Sequence, residues 1–223
     1  MGQAAGAEAL RDWFGANRDR HLGALGPFTD DPGAVADAAV GIFDGLLESV
    51  PYLDQPTHPM AGSAFECAAI LALYLAVRDR HPDVDVHEFG AAATQGVGGG
   101  EFFDAALTTE DWIDAGARSQ DGAAPNEFVF DYFVADEGAD FKLGMNITSC
   151  AICTMYAPHD AMDLVPYMCA GDDAVSDAFQ QGLRRTGSIA LGASHCDFRF
   201  TGRKGTPLRL SEQYPDRIRL RDS

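Results

Sequence analysis

Lysine is almost missing from this sequence of 223 residues: Lys142 and Lys204 are the only two, and 16 Lys and Arg face 34 Asp and Glu for a net charge of −18. Binding to nucleic acid depends on clustered cations that neutralise phosphates, so that class of partner is excluded, and anionic membrane surfaces are disfavoured for the same reason. Long apolar runs are also scarce. The longest, Phe65 to Val77, contains Glu66 and ends at Arg78, well short of the roughly 20 residues a membrane span needs. It reads as a buried helix. The first residues, with Glu8, Arg11 and Asp12 among alanines, lack the charged start, apolar centre and cleavage site of a secretory signal, so a cytoplasmic location is expected. Cysteines number 5, an odd count, which favours free thiols, ligands or nucleophiles over a disulfide framework. The sequence contains no G-x-S-x-G elbow, no H-E-x-x-H and no EF-hand loop. Those absences remove the common hydrolase and calcium signatures.

What is present is a chain of 46% hydrophobic residues, enough for one core of ordinary size that needs no metal merely to fold. Val35, Ala39, Phe43, Leu46 and Leu47 recur at helical spacing behind Asp30, Asp31 and Pro32, a capped helix that stops near Pro51. A weaker helix is expected over Ala4 to Arg20, a strong one from about Met60 to Arg80, and shorter ones over Val86 to Thr94 and Phe102 to Ala115. From Asn126 the pattern becomes short apolar and aromatic runs, Glu127 to Ala135 and Phe141 to Thr148 around the turn Asp136–Gly138, which is the grammar of a hairpin. A helical interval, Ser149 to Gln181, broken at Pro158 and Pro166, precedes two further strands, Leu183 to Leu191 and Cys196 to Thr201. The expected class is therefore α+β: a helical N-terminal half followed by an antiparallel sheet with intervening helices. One domain over 1–202 and a polar tail of low order over 203–223 complete the organisation. The glycine-rich stretch at Gly96, Gly98, Gly99 and Gly100 has no following cation and reads as a flexible loop.

Chemistry concentrates in the C-terminal half. Cys150 and Cys153 form a C-x-x-C pair at a helix start, where the helix dipole favours a thiolate. With Cys169 and Cys196 they offer soft ligands for zinc, although buried thiols that behave as small apolar groups are an equally open reading. Cys169 and Asp172 share a face if their segment is helical; the bland alternative is an Asp capping a helix that begins at Ala174. On a strand His195 and Asp197 face one side and Cys196, Phe198 and Phe200 the other. His58 opens the strong helix as a candidate at the mouth of a pocket.

Three segments carry a more specific signal: GMNITSC from Gly144 to Cys150, Cys169-Ala170-Gly171-Asp172, and RRTGSIALGASHCDFRF from Arg184 to Phe200. Together with the helical segment from Val50 to Val77 they resemble the L-2-amino-thiazoline-4-carboxylic acid hydrolase family. The resemblance implies a hydrolase that opens a cyclic isothiourea, with water adding at the amidine-like carbon and the carbon–sulfur bond breaking. It marks Cys150, Cys169, Asp172 and Cys196 as recurring site residues, and matches neither Cys67 nor Cys153. The expected catalytic residues are Cys169, Asp172, Cys196 and His195, with Arg185 and His58 binding substrate. Two versions stay open: Cys169 or Cys196 attacks the amidine carbon while Asp172 moves protons, or Cys150, Cys169 and Cys196 hold zinc that activates water, the version slightly favoured; no organic cofactor is expected. A small molecule is the expected partner, nucleic acid and membrane are not, and a homo-oligomer stays open. A fainter likeness to vinyl-reductase-type sensor domains supports the alternative, a small-molecule-binding domain with a cysteine zinc site and no turnover. A metal-thiol lyase acting on organometals is a third reading, drawn from the Cys-x-x-Asp and distant Cys alone.

Overall fold

The computed structural model describes residues 2–96, 107–202 and 209–219; the glycine stretch expected as a loop lies, past Gly96, outside them. The described residues fold as α+β, with nine α-helices and one four-stranded antiparallel sheet. The first helical stretch divides at Asn17 into α1 (Gly2–Ala16) and α2 (Arg18–Leu25). Helix α3 (Pro32–Leu46) starts as its sequence dictates, with the Asp31 side chain accepting from Ala34 N at 3.0 Å and proline in the first turn, satisfying a donor no helical carbonyl can reach. Its stripe of Val35, Ala36, Ala39, Phe43 and Leu46 is buried against α4 (Ala61–Arg80), where alanines let the two backbones approach.

Helix α4 is long and apolar enough to cross a membrane by composition, but 78% of its most apolar window is buried within the fold. It is the central core helix, apolar all round because neighbours cover every face. Helix α5 (Val86–Gly96) follows, capped by Asp85, which accepts from His87 N and Glu88 N. The helix expected over Phe102 to Ala115 lies, up to residue 106, outside the described residues; α6 runs from Thr109 to Gly122. A capping box sets that start: Thr108 Oγ1 accepts from Asp111 N, and Asp111 Oδ2 accepts from Thr108 N at 2.7 Å, so both ends of the first turn are satisfied.

Strands β1 (Val129–Val134) and β2 (Leu143–Ser149) form the expected hairpin. After α7 (Ala151–Tyr156), two 3-10 turns lead to α8 (Val165–Ala178). Pro166 sits in the first turn of α8 and starts that helix instead of breaking one, as its fixed φ and missing N–H permit. The strand expected over Leu183 to Leu191 shrinks to β3 (Leu183–Arg184) and a 3-10 turn at Ile189–Leu191, before β4 (Cys196–Phe200). The reason lies in Asp197, whose carboxylate accepts from Thr186 N, Gly187 N and Thr186 Oγ1 at 2.5–3.1 Å. Those bonds bend the chain out of the ladder.

Sheet order is β1-β2-β4-β3, and register sorts the side chains. Phe130, Ile147 and Cys196 lie across from one another, as do Tyr132, Met145 and Phe198, while Asp131, Asn146 and Asp197 occupy the alternate face. Helix α6 covers the β1 edge: Ser119 Oγ accepts from Phe130 N at 3.0 Å and donates to Phe130 O at 3.1 Å, blunting a row of open backbone groups. Part of the expected polar tail returns to the body. Leu210 and Ile218 are buried, α9 (Leu210–Gln213) lies against α8, Arg209 pairs with Asp177, and Gln213 Nε2 donates to Arg185 O at 2.7 Å.

Candidate active site

Helix α8, strands β2 and β4 and the segment after β3 converge on a cleft of about 70 Å³ beside α4. Helical spacing puts Cys169 and Asp172 on the same face of α8, in mid-helix rather than at a cap, and both line the cleft. Strand alternation does the rest. Leu183 is buried, Arg184 points out to a bidentate pair with Asp140 at 2.6 and 2.9 Å, and Arg185 turns back in.

Arg185 is 1% exposed. Its Nη1 donates to Asp172 Oδ2 at 2.6 Å and to the Cys169 carbonyl at 3.0 Å, and its guanidinium lies over the Phe198 ring with the carbon 4.0 Å from the centroid. Its Nε is buried without a partner. Burial works against this charge, but Asp172 and the neighbouring thiols outweigh it and hold the group firmly protonated. Burial likewise pushes the Asp172 carboxyl above its ordinary range, with Arg185 pulling the other way, even though 37% of the side chain is accessible. A carboxylate so placed is a stronger base than one in water.

The thiols meet at a buried serine. Ser188 Oγ lies 3.1 Å from Cys169 Sγ and 3.8 Å from Cys196 Sγ, and Ile189 N donates to Cys196 Sγ at 3.3 Å. Burial raises the Cys169 thiol to about 12, opposed by Arg185, and raises Cys196 in the same sense. Cys150 lines the cleft as the cap residue of α7. Its position at a helix start does not make it acidic: a hydrogen bond with Cys153, then burial, puts it well above the ordinary value. All of these thiols rest protonated at neutral pH.

The sequence-predicted residues therefore divide. Cys150, Cys169, Asp172, Arg185 and Cys196 line one cleft. His195 is half-buried in the bend just before β4, near Ser194 Oγ at 3.1 Å, and lines neither this cleft nor the cavity beside it. His58 is also elsewhere, stacked on Tyr52 with centroids 3.8 Å apart and its Nδ1 accepting from Met60 N. Burial, then Arg118, lowers its pKa to about 4, so it stays neutral as a packing ring. Cys67, Glu66 and Ser188 entered no sequence argument for the site. Cys67 and Glu66 line the cleft, Glu66 holding Arg20 at 2.6 Å, and the i, i+3 relation of Glu66 to Ser63 in an otherwise apolar helix was the available signal.

The expected zinc site does not assemble. Among the described residues no three His, Cys, Asp or Glu side chains are grouped to hold a metal ion. Where the thiols come together, the Asp172 carboxylate that could have joined them is already paired with Arg185. The arrangement suits instead a neutral or cationic planar group lying between thiols, carboxylate and an aromatic face. No curated protein and no solved structure matches the chain. A family model, L-2-amino-thiazoline-4-carboxylic acid hydrolase, matches residues 63–200, a stretch that contains every residue lining the cleft but Met60. The chain thus belongs to the L-2-amino-thiazoline-4-carboxylic acid hydrolase family.

Proposed function

We propose that this protein hydrolyses a small cyclic isothiourea of the 2-amino-thiazoline-4-carboxylate type, with Cys169 as nucleophile and Asp172 as proton carrier. One observation carries the reading: the Cys169 and Cys196 thiols, joined through Ser188, line the same cleft as the Asp172–Arg185 pair. The protonated thiol is activated by the substrate itself. An amidinium entering the cleft adds a positive charge beside Cys169 and lowers the cost of ionising it.

As Cys169 Sγ bonds to the amidine carbon its proton passes to Asp172, and the π electrons move to nitrogen. The carbon–sulfur bond of the ring then breaks, and the departing ring sulfur takes the proton from Asp172. Water adds to the thiol-bound amidine carbon, Cys169 leaves with a proton, and the product is a carbamoyl derivative bearing a free thiol. Ser188 positions the two sulfurs, and Arg185 keeps the Asp172 carboxylate oriented. Release of one thiol per turnover is the assay. A folded Cys169→Ser variant should lose activity by roughly a hundredfold or more, and full activity in both Cys169→Ser and Cys196→Ser would sink the assignment.

A second reading, a binding module without turnover, is favoured by the raised thiol pKa values, which suit a neutral lining. Stoichiometric binding of the same compound with no thiol released is its signature.

A further inference from the structure

Beside the thiol cleft lies a second cavity of about 380 Å³, in the range typical of small-molecule pockets, roughly 300–1,000 Å³. The two share Met60, Ser63, Asp172, Val175 and Phe198 in their linings, so the carboxylate that the mechanism uses borders both. The larger cavity is lined by two aromatic pairs, Trp112 on Tyr132 with centroids 5.3 Å and planes 27° apart, and Phe198 on Phe200 at 6.2 Å and 29°. Its lining includes one cationic side chain, the exposed Lys142.

The volumes conflict with a bare thiazoline ring as the whole substrate. The thiol cleft is much the smaller of the two, and a bare ring seated there would leave the aromatic chamber unfilled during turnover. Arg185 cannot grip a substrate carboxylate along its Nε edge, because Nε is sealed in protein, and its Nη1 is spent on Asp172 and a backbone carbonyl. Lys142 lines the chamber and not the cleft. From these juxtapositions, and resting on the hydrolase reading above, we infer that the substrate is extended. A cyclic isothiourea head sits in the thiol cleft, an aromatic body lies in the chamber against the rings of Trp112, Tyr132, Phe198 and Phe200, and an acidic end reaches Lys142. Aromatic linings favour an aromatic occupant through stacked and edge-on contacts.

Two measurements test this together. The first compares kcat/KM for 2-aminothiazoline-4-carboxylate with that for its 5-phenyl derivative. The second follows Trp112 fluorescence in a Trp13→Phe background, in which Trp112 is the remaining tryptophan, during titration with 3-phenylpropionate, which cannot react. The phenyl compound should be preferred by roughly ten- to a hundredfold, and phenylpropionate should shift the emission saturably. Leu143→Phe, which narrows the chamber from β2 without adding a tryptophan, should cut the phenyl preference and the emission shift, and Lys142→Gln should weaken phenylpropionate by roughly two- to fivefold. Equal or better turnover of the bare ring, with no saturable shift, overturns the inference and leaves the hydrolase reading intact. A saturable shift that Leu143→Phe abolishes, with neither ring opened, upholds the chamber as an aryl-acid site and removes the hydrolase reading instead.

Discussion

Replacing Arg185 by Met tests the electrostatic core of the site with a number attached. Methionine fills much of the same space and keeps contact with Phe198, but it strips Asp172 of its cation and the Cys169 carbonyl of its donor. Removing one partner of a buried pair costs about 3–5 kcal/mol when the other charge stays sealed. Asp172 keeps 37% of its side chain accessible, so solvent recovers part of that, and a loss of about 2–3 kcal/mol is expected, lowering Tm by roughly 5–10 °C. The loss should also depend on pH. Arg185 is the influence that pulls the Asp172 carboxyl down against burial, so without it the carboxyl rises further. A carboxyl held above its unfolded value binds more protons in the native state, and its ionisation then costs stability as pH rises through the folded pKa. Arg185→Met should therefore be closest to wild type near pH 5 and furthest from it at pH 8, in urea denaturation at the two values. The double variant Arg185→Met with Asp172→Asn, which leaves no charge to strand, should recover most of the loss at pH 8. An equal loss at both pH values, together with a double variant no better than the single, would refute the account of this pair.

Burial raises the Asp173 carboxyl to about 6, with Asp172 adding to it. Wild-type stability should accordingly fall between about pH 4 and 6, and Asp173→Asn, which keeps an acceptor for Leu210 N, should flatten that slope and gain about 1–2 kcal/mol at pH 7 by denaturant titration. With its thiol at about 12, Cys169 should alkylate at pH 8 roughly a thousandfold more slowly than an exposed cysteine. Mass spectrometry of iodoacetamide-treated native protein measures that rate, and addition of the amidinium substrate should raise it. Gly90→Ala places a Cβ 2.4 Å from the buried Tyr167 ring and should cost about 1–3 kcal/mol through overpacking, read as a drop in Tm.

Local rules carried the fold further than they carried the site. The Asp31–Pro32 cap, the stripe on α3, the alternating hairpin and the switch from a period of 3.6 to one of 2 are properties of neighbouring residues, and each appears where those residues predict it. The start of α6 was legible in Thr108 and Asp111, a local signal of the same kind. The cleft is different in kind. Cys169 and Asp172 are joined by helical spacing, yet Ser188 reaches both sulfurs only because the chain leaves the sheet after Arg184, and no window of sequence contains that bend.

Asp197 is the residue that converts this long-range geometry into site chemistry. Strand side chains alternate, so a one-residue slip of β4 against β2 would turn Cys196 and Phe198 out and bring His195 and Asp197 in. Although partial burial works to raise the Asp197 carboxyl, its hydrogen bonds to Thr186 and Gly187 prevail and hold it below the usual carboxylate range. Inside the cleft the same carboxylate would forfeit those bonds and stand beside Asp172. The bonds that shorten β3 and bend the chain toward Ser188 therefore also penalise the wrong register, and one acidic side chain on the outer face determines which sulfur faces the cleft.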